Sequence, residues 1–450
     1  MAQVVAFMKD FNYSKCSMQS IGFGIFWVIL SVIGFVVSLA ISPLCCSVPC
    51  DSVTEAKKMS SASTRSAYRL ARHQTQSVSP LFRRNYCVAT SAAQLRKPTI
   101  PAFVTEKLKD MQVEIASQFI SDVPQPTASY TPTNTIPTTS RDFTSNLEKM
   151  AKYYFEQGGK MFRPTVALLM ANACNISAPK GVRLECGTEE VSLNQYKIGM
   201  ISEMIHTASL VHDDVIDGAD TRRGNASVNA IWGNKMAVLV GDFILARATQ
   251  ILCSIGRPNV ISVMASIIED LVMGEFMQMT AKTEVAENRM EQYMQKTFKK
   301  TASLFANSCK SVALLAEANS ELQWRASEYG RNLGIAFQLV DDLLDFVASS
   351  DVVGKPVAAD LKLGLSTGPV ILAAQQYPEL NILMARKFAE CGDVDRARDI
   401  VLNSDGIERT RQLARQHSQN AARLASTLPN NDGAADVLVD FALSQLDRQS

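Results

Sequence analysis

From Thr144 onward the apolar residues recur every three or four positions, and alternating β-branched runs are scarce. That period lines one face of a helix and does not suit a strand, so the chain reads as all-α. The clearest predicted helices are Asn146–Phe155, Arg163–Cys174, Asn194–Val215, Asn229–Ile255, Val260–Thr280, Met290–Ala316, Leu322–Phe346 and Gly368–Gln376. Breaks are expected where Gly, Pro, Asn or Asp cluster, at Gly158-Gly159, Gly218 to Gly224, Arg257-Pro258-Asn259 and Gly354 to Pro356. Several of these helices are apolar almost all round, as befits the central members of a large bundle or the walls of an apolar cavity.

A chain of 450 residues has room for two or three average domains, but one helical domain can claim residues 101–450. A first helix over Phe103–Ile120 precedes an insert, residues 123–140, whose four prolines and many threonines exclude a regular helix. Residues 1–58 form an apolar N-terminal extension in which Ile21 to Leu44 carries no charge and is long enough to cross a bilayer. Residues 59–100 have another character. No Asp or Glu occurs between Lys58 and Thr105, Ser and Ala abound, and Arg65, Arg69 and Arg72 share one face of a short amphipathic helix. This is the composition of a mitochondrial transit segment, and Met59 stands at its head as an alternative start. Matrix import and anchoring through 21–44 are thus competing expectations.

Lys and Arg number 45 against 44 Asp and Glu, so no excess charge draws the chain to nucleic acid. The close cluster Cys45, Cys46 and Cys50 has no matching His or second Cys pair, which argues against zinc. Cys174, Cys186, Cys253, Cys309 and Cys391 are scattered through helical stretches and read as small buried residues in a reducing compartment.

The chemistry lies in a spacing that occurs twice. In Asp213-Asp214-Val215-Ile216-Asp217 the outer carboxylates are one helical turn apart, and Asp341-Asp342-Leu343-Leu344-Asp345 repeats the arrangement. Clustered carboxylates repel one another and raise one another's pKa unless a cation joins them. Magnesium takes oxygen ligands, commonly one or two carboxylates completed by water and phosphate. One such triplet is often only a solvated helix face. Two copies, each set among residues such as Leu210-Val211 and Leu339-Val340, are not, and together they can clamp a diphosphate through metal ions.

Basic elements accompany them. Lys160 and Arg163 follow the glycine pair Gly158-Gly159, whose backbone N–H groups suit a phosphate, although a plain helix boundary reads the same way. Arg222 and Arg223 follow the first acid motif by a short turn, and otherwise serve to balance Asp217 and Asp220. His206, seven residues before Asp213, lies on the same helix face.

With these residues the chain resembles the trans-polyprenyl diphosphate synthases from residue 145 to the end. The resemblance rests on both aspartate motifs, Gly158-Gly159-Lys160-Met161-Phe162-Arg163-Pro164, Thr221-Arg222-Arg223-Gly224, Glu203 to Ala208, Lys300-Thr301-Ala302-Ser303, Phe337-Gln338 and Gly354-Lys355-Pro356. It implies an isoprenoid-synthase helical bundle around a central active-site cavity, and a catalytic set of Asp213, Asp214, Asp217, Asp341, Asp342 and Lys300. Magnesium, three ions in the loaded site, is expected on Asp213, Asp214, Asp217, Asp341 and Asp345. Lys160, Arg163, His206 and Arg223 are expected on isopentenyl diphosphate, and Arg222, Lys300, Thr301, Gln338 and Lys355 on an allylic diphosphate of the farnesyl or geranylgeranyl class. Phe337 faces the allylic cation or simply packs.

Ala208 and Ser209 are small where short-chain relatives carry aromatics, and Met204 narrows the path without closing it, so the resemblance implies a product of roughly eight to ten isoprene units. It further implies a ubiquinone side-chain enzyme of the mitochondrial matrix, associated with the inner membrane, paired with a second synthase subunit in a heterotetramer or working as a homodimer. A shorter-chain, geranylgeranyl-type synthase is the alternative product class. A non-catalytic scaffold subunit would be expected to lose carboxylates from one motif, and a terpene cyclase would need no isopentenyl site.

Overall fold

The computed structural model describes residues 98–119, 139–176, 191–280, 288–347, 358–429 and 433–448. The apolar extension, nearly all of the transit-like segment, most of the insert, Cys186 and Lys355 lie outside the described residues.

The helices run in chain order as α1 (Ala102–Ser117), α2 (Thr139–Glu156), α3 (Phe162–Asn175), α4 (Leu193–Ile216), α5 (Val228–Trp232), α6 (Asn234–Ser254), α7 (Pro258–Thr280) and α8 (Arg289–Thr297). A single π-helical turn, Phe298–Ala302, joins α8 to α9 (Ser303–Leu315), and α10 (Ser320–Val347) follows. The chain then forms α11 (Ala359–Lys362), α12 (Gly368–Gln376), α13 (Glu379–Ala385), α14 (Asp393–Leu402), α15 (Gly406–Ala425) and α16 (Ala434–Ser444). Among the described residues the sheet structure is one two-residue antiparallel pair, Thr221–Arg222 with Asn225–Ala226.

Two of the predicted helices are divided. Asn229–Ile255 breaks at Gly233, which sits at φ 84, and Met290–Ala316 contains the π turn. Four further helices, α13 to α16, extend the fold beyond the last predicted one.

Two long helices organise the interior. α4 opens with a reciprocal cap in which Ser192 Oγ accepts from the Gln195 N–H at 3.2 Å while Gln195 Oε1 accepts from the Ser192 N–H at 2.9 Å. Its 24 residues span roughly 36 Å at 1.5 Å per residue, so a start fixed by that cap fixes where Asp213 emerges. α10 is longer and packs along α9 and α15. Both helices carry their aspartate motifs at the C-terminal end, the negative end of the helix dipole, where further negative charge is unfavourable without a nearby cation.

The main core is built by α3, α4, α6, α9 and the first half of α10, closed by α15 and α16, with Leu168, Met170, Ile198, Met200, Phe305 and Tyr329 fully enclosed. A smaller cluster of Tyr293, Ala302, Ile335, Leu339, Val340, Ile371 and Ala414 supports the second motif. A third, around Leu361, Val370, Leu380 and Val401, holds α11 to α14 together. Cys174 and Cys309 are buried as expected, but Cys253 and Cys391 are exposed, each on the outward side of its segment.

Exposed apolar residues are grouped most closely on α7, which carries Met273, Phe276 and Met279 one turn apart, with Leu239 on α6. α6 is the one described helix long and apolar enough to cross a membrane by length and composition, yet its inner face packs along α4. Outward, Leu239, Met273, Phe276 and Met279 are 54, 44, 60 and 62% exposed. Scattered exposed leucines are ordinary, but a row of large apolar residues on a helix is the mark of a contact surface.

Candidate active site

The first motif closes α4. Asp213 is half-buried, Asp217 is exposed as the helix's last half-turn, and Asp214 between them is fully enclosed. Asp214 accepts hydrogen bonds from the Tyr154 hydroxyl on α2 and from both Nε and Nη2 of Arg222, the former at 2.9 Å. The Tyr154 hydroxyl also accepts from the Val228 N–H at 3.1 Å, so one tyrosine ties α2, α4 and α5 together. Burial alone opposes the Arg222 charge, but Asp214 outweighs it and its pKa is raised.

The second motif repeats the plan with neutral partners. Asp342 is buried and accepts from the Tyr293 hydroxyl at 2.5 Å, from Gln338 Nε2 at 2.9 Å and from the Gly368 N–H at 3.4 Å. Burial raises its pKa, against those hydrogen bonds. Asp345 accepts from the N–H groups of Ala359 at 2.9 Å and Asp360 at 3.2 Å, capping α11. Asp341 pairs with Arg448 at 2.9 Å.

Between the two motifs stands the π turn. It widens the helix by one residue and presents Lys300 and Thr301 to the site. Lys300 donates to Glu275 on α7, and Thr301 donates to Gln338 Oε1 at 2.8 Å. The wide turn fits only because its neighbours are glycines. A Cβ on Gly274 would lie 2.7 Å from Lys300 Cγ, and one on Gly334 would lie 2.5 Å from Ala302 Cα. Burial opposes the Lys300 charge, but Asp213, Glu275 and Asp217 together raise its pKa. Asp213 in turn is pushed up to about 6, first by burial, with Lys300 lowering and Glu275 raising it.

Two basic loops adjoin the first motif. The loop after α2 passes through Gly158 at φ 72 and Met161 at φ 46 before α3 begins, and the turn after Arg222 carries Arg223 at φ 53 and Gly224 at φ 81. Positive φ at both central residues is what a two-residue hairpin needs, and a non-glycine held there is strained. Arg223 reaches back to the Gly158 carbonyl, joining the two basic loops, while Lys160 lies exposed on its own loop.

Behind them lie Arg163, Glu203 and His206. Arg163 stacks 5.0 Å from the Phe305 ring, its Nε is buried without a hydrogen-bond partner, and its pKa is lowered to about 10 by burial despite Glu203 and Asp341. His206 is held well below its usual range by burial and by Arg163, Arg223 and Arg222, so it is neutral at physiological pH. A neutral imidazole among guanidiniums leaves the positive charge to arginine.

Contacts link Asp213, Asp214, Asp217, Arg222 and Lys300 around the first motif, Thr301, Gln338 and Asp342 at the second, and Arg163, His206 and Arg223 with one another, while Lys160 is exposed on its loop and Lys355 lies outside the described residues. Met204 and Ala208 are fully enclosed in the main core on α4, and Ser209 is half-buried with its hydroxyl on the His206 carbonyl at 2.8 Å. Sequence reasoning missed Tyr154, Tyr293, Glu275, Lys296 and Arg448. The first two carry no spacing signal, lying 60 and 49 residues from their aspartates. Lys296, one turn before Lys300, could have been found by its helical phase. Burial lowers its pKa, with Lys300 acting in the same direction and Asp342, Asp360 and Glu275 opposing it.

Among the described residues no group of three or more His, Cys, Asp or Glu stands close enough to hold a metal unaided. The donors are all oxygens on carboxylates, and an ion bound there takes its remaining ligands from water and substrate, which suits magnesium rather than zinc.

A helical bundle that brings two carboxylate motifs to its helix ends, with basic loops beside them, defines an enzyme of the isoprenoid-synthase fold. Residues 144–401 match the polyprenyl synthetase family, and the chain belongs to it. It is a prenyltransferase, of the long-chain trans-polyprenyl diphosphate synthase class. It is 53% identical to the human all trans-polyprenyl-diphosphate synthase PDSS1 over 63% of this chain and 67% of that one. It is 45% identical to the mitochondrial solanesyl-diphosphate synthase 1 of Oryza sativa subsp. japonica, over 64% and 67%. The crystal structure of a Caulobacter crescentus polyprenyl synthase complexed with calcium and isoprenyl diphosphate superposes with a TM-score of 0.64 at 26% identity, covering 79% of this chain and 99% of that one.

Proposed function

We propose that the chain joins isopentenyl diphosphate head to tail onto a farnesyl- or geranylgeranyl-class diphosphate, and continues to roughly eight to ten isoprene units, a length for the ubiquinone side chain. The observation that carries this reading is that both helix-end motifs answer to one group of cations. Lys300 acts on Asp213 and Asp217, Lys296 feels Asp342 and Glu275, and Arg163 feels Glu203 and Asp341. A pocket so arranged holds two anions at once, one toward each wall.

In this reading Lys160, Arg163, His206 and Arg223 hold the isopentenyl diphosphate, with the Arg163 Nε available to an incoming oxygen. Arg222, Lys300, Thr301, Gln338 and Lys355 hold the allylic diphosphate. Asp213, Asp217 and Asp341 would hold magnesium, about three ions in the loaded site, which would supply positive charge for the departing diphosphate. Asp214 and Asp345, expected as metal ligands from the motif spacing, are assigned instead to shaping the site, since Asp214 is occupied by Tyr154 and Arg222 and Asp345 caps α11, while Asp342 is held by Tyr293.

Lys300, released from Glu275, neutralises charge on the leaving group as the allylic carbon–oxygen bond breaks. The isopentenyl double bond attacks the allylic cation, a new carbon–carbon bond forms, and a proton passes to the released diphosphate. The Phe337 ring lies 5.2 Å from that of Phe162 and 6.2 Å from that of Phe305, an aromatic wall compatible with a developing carbocation. The growing tail runs beside α4 past Ser209 and Ala208.

The row of apolar residues on α6 and α7 supports docking of a second synthase subunit in a heterotetramer, or a second copy of this chain. Residues 59–100 and the mitochondrial relative support import into mitochondria. The test is incubation with magnesium, labelled isopentenyl diphosphate and farnesyl or geranylgeranyl diphosphate, alone and with the candidate second subunit. A ladder of products ending at about eight to ten units is expected. No elongated product under either condition overturns the reading.

A further inference from the structure

Asp341 has a guanidinium on it that motif spacing does not account for. After α16 the chain makes one tight turn, Gln445–Asp447, and then reaches Arg448. The turn is anchored: Gln445 is buried and donates to the Phe441 carbonyl at 2.8 Å, and Leu446 packs on the cluster that contains Tyr293, Leu339 and Val340. Arg448 is thereby carried over the second motif. Its Nη2 lies 2.9 Å from Asp341 Oδ1, and the guanidinium stacks 4.0 Å above the Phe337 ring.

Two features distinguish this pairing from a finished structural bridge. Arg448 Nη1 is buried with no hydrogen-bond partner, and the Arg448 charge acts against Arg163. Two guanidiniums close enough to repel, each with a buried nitrogen lacking an acceptor, form a site waiting for an anion. The pair is also poised against a divalent ion, because a carboxylate that already has a cation must give it up before another can bind.

The geometry points to Arg448 as a displaceable counter-ion: it neutralises Asp341 while metal is away and, when a divalent ion takes that carboxylate, turns its fork to the diphosphate. Stacking on Phe337 makes the exchange local, since the planar group can slide on the ring without leaving the site. The inference rests on the reading of Asp341 as a metal ligand. It makes Arg448 a diphosphate-facing residue of the isopentenyl side, beside Arg163, and couples metal entry to substrate capture.

The experiment compares the full-length wild type with Arg448→Gln and Arg448→Lys. Binding of Mn2+ without substrate is followed by the spin-resonance signal of the free ion, and KM for isopentenyl diphosphate is measured separately from kcat. Arg448→Gln should bind Mn2+ roughly three- to tenfold more tightly and raise that KM by roughly tenfold. Arg448→Lys, which keeps the charge but loses the fork, should leave Mn2+ affinity near wild type and still raise KM, so the argument survives a Gln variant that fails to fold. Unchanged or weaker Mn2+ binding in a folded Arg448→Gln, or an unchanged KM in both variants, overturns it. Failure of the underlying reading is visible separately, as a wild type that binds Mn2+ but elongates nothing.

Discussion

The two aspartate motifs have the same spacing and opposite ways of holding it. In the first, the buried middle carboxylate is tied to a charged partner, Arg222, and the outer pair faces a lysine and a glutamate from other helices. In the second, the buried middle carboxylate is tied to neutral partners, Tyr293 and Gln338, the last carboxylate caps a short helix, and the first is paired with Arg448. A shared tyrosine hydroxyl on each middle aspartate makes the common part a positioning device. What differs is how much charge each motif leaves open to a ligand.

The largest effects should come from the outer carboxylates. Asp213→Asn and Asp341→Asn should each lower kcat by about 10³-fold or more with the fold intact, because both act on charge that develops only as the diphosphate departs. The last aspartate of each motif should then separate the two. Asp217→Asn should approach the loss seen for Asp213→Asn, whereas Asp345→Asn, whose amide oxygen keeps one of the two caps on α11, should lose far less. Single-turnover rates with circular dichroism check both, and equal losses at the two positions would remove the asymmetry.

Next come the middle aspartates, read as stability. Asp214→Asn leaves Arg222 with its charge and only partial solvent, its side chain being 24% exposed, and should cost about 2–3 kcal/mol, below the full penalty for a wholly buried pair. Asp342 has hydrogen bonds from Tyr293, Gln338 and Gly368 and feels Lys296 only through space, so Asp342→Asn should cost about 1–2 kcal/mol. Urea melts of the two variants measure the difference. An equal cost would mean that the guanidinium is no better satisfied by Asp214 than by water.

How far this contrast was legible in the sequence follows from its physical origin. The motifs themselves, the basic loops and the helices up to Gln376 rest on local spacing, and local spacing is what a sequence displays. Tyr154 and Tyr293 rest on helix packing across dozens of residues and look like any other aromatic. The π turn was hidden inside an unbroken helical period, and only the small neighbours Gly274 and Gly334 hinted that something must approach closely. α15 escaped for a different reason. Its buried positions are Gly406, Thr410, Ala414, Ser418, Ala421, Ala422 and Ala425, small residues that let α10 come near but carry little hydropathy, while its outer face is rich in Arg and Gln.

The tunnel should belong to the first motif alone. Ala208 and Ala336 each stand five residues before the first aspartate of a motif, and both are fully enclosed. Phenylalanine at either position overpacks the core and should cost about 1–3 kcal/mol. Only Ala208→Phe should also shorten the product. Mass spectrometry of the released chains checks this, and unchanged length in a folded Ala208→Phe variant would refute the tunnel's course beside α4.

The smallest expected effect is a pH break peculiar to the first motif. The Asp213 carboxyl is pushed up to about 6, above its ordinary value of 3.8. A carboxyl raised on folding favours the protonated form, so its contribution to the stability of the metal-free protein is fully present below pH 3.8 and is lost as pH rises through about 6. Metal needs the ionised form, so Mn2+ affinity should be flat above about pH 7 and fall by up to about tenfold per unit below about pH 6. Glu275→Gln removes an anion beside Asp213 and frees Lys300 to face it, and both changes favour the carboxylate. The break should therefore move to lower pH in that variant, while Arg448→Gln, at a residue that pairs with Asp341 and not with Asp213, should leave it in place. A break that moves with Arg448→Gln instead would assign the titration to Asp341, and the two motifs would have exchanged roles as the pH-sensitive half of the site.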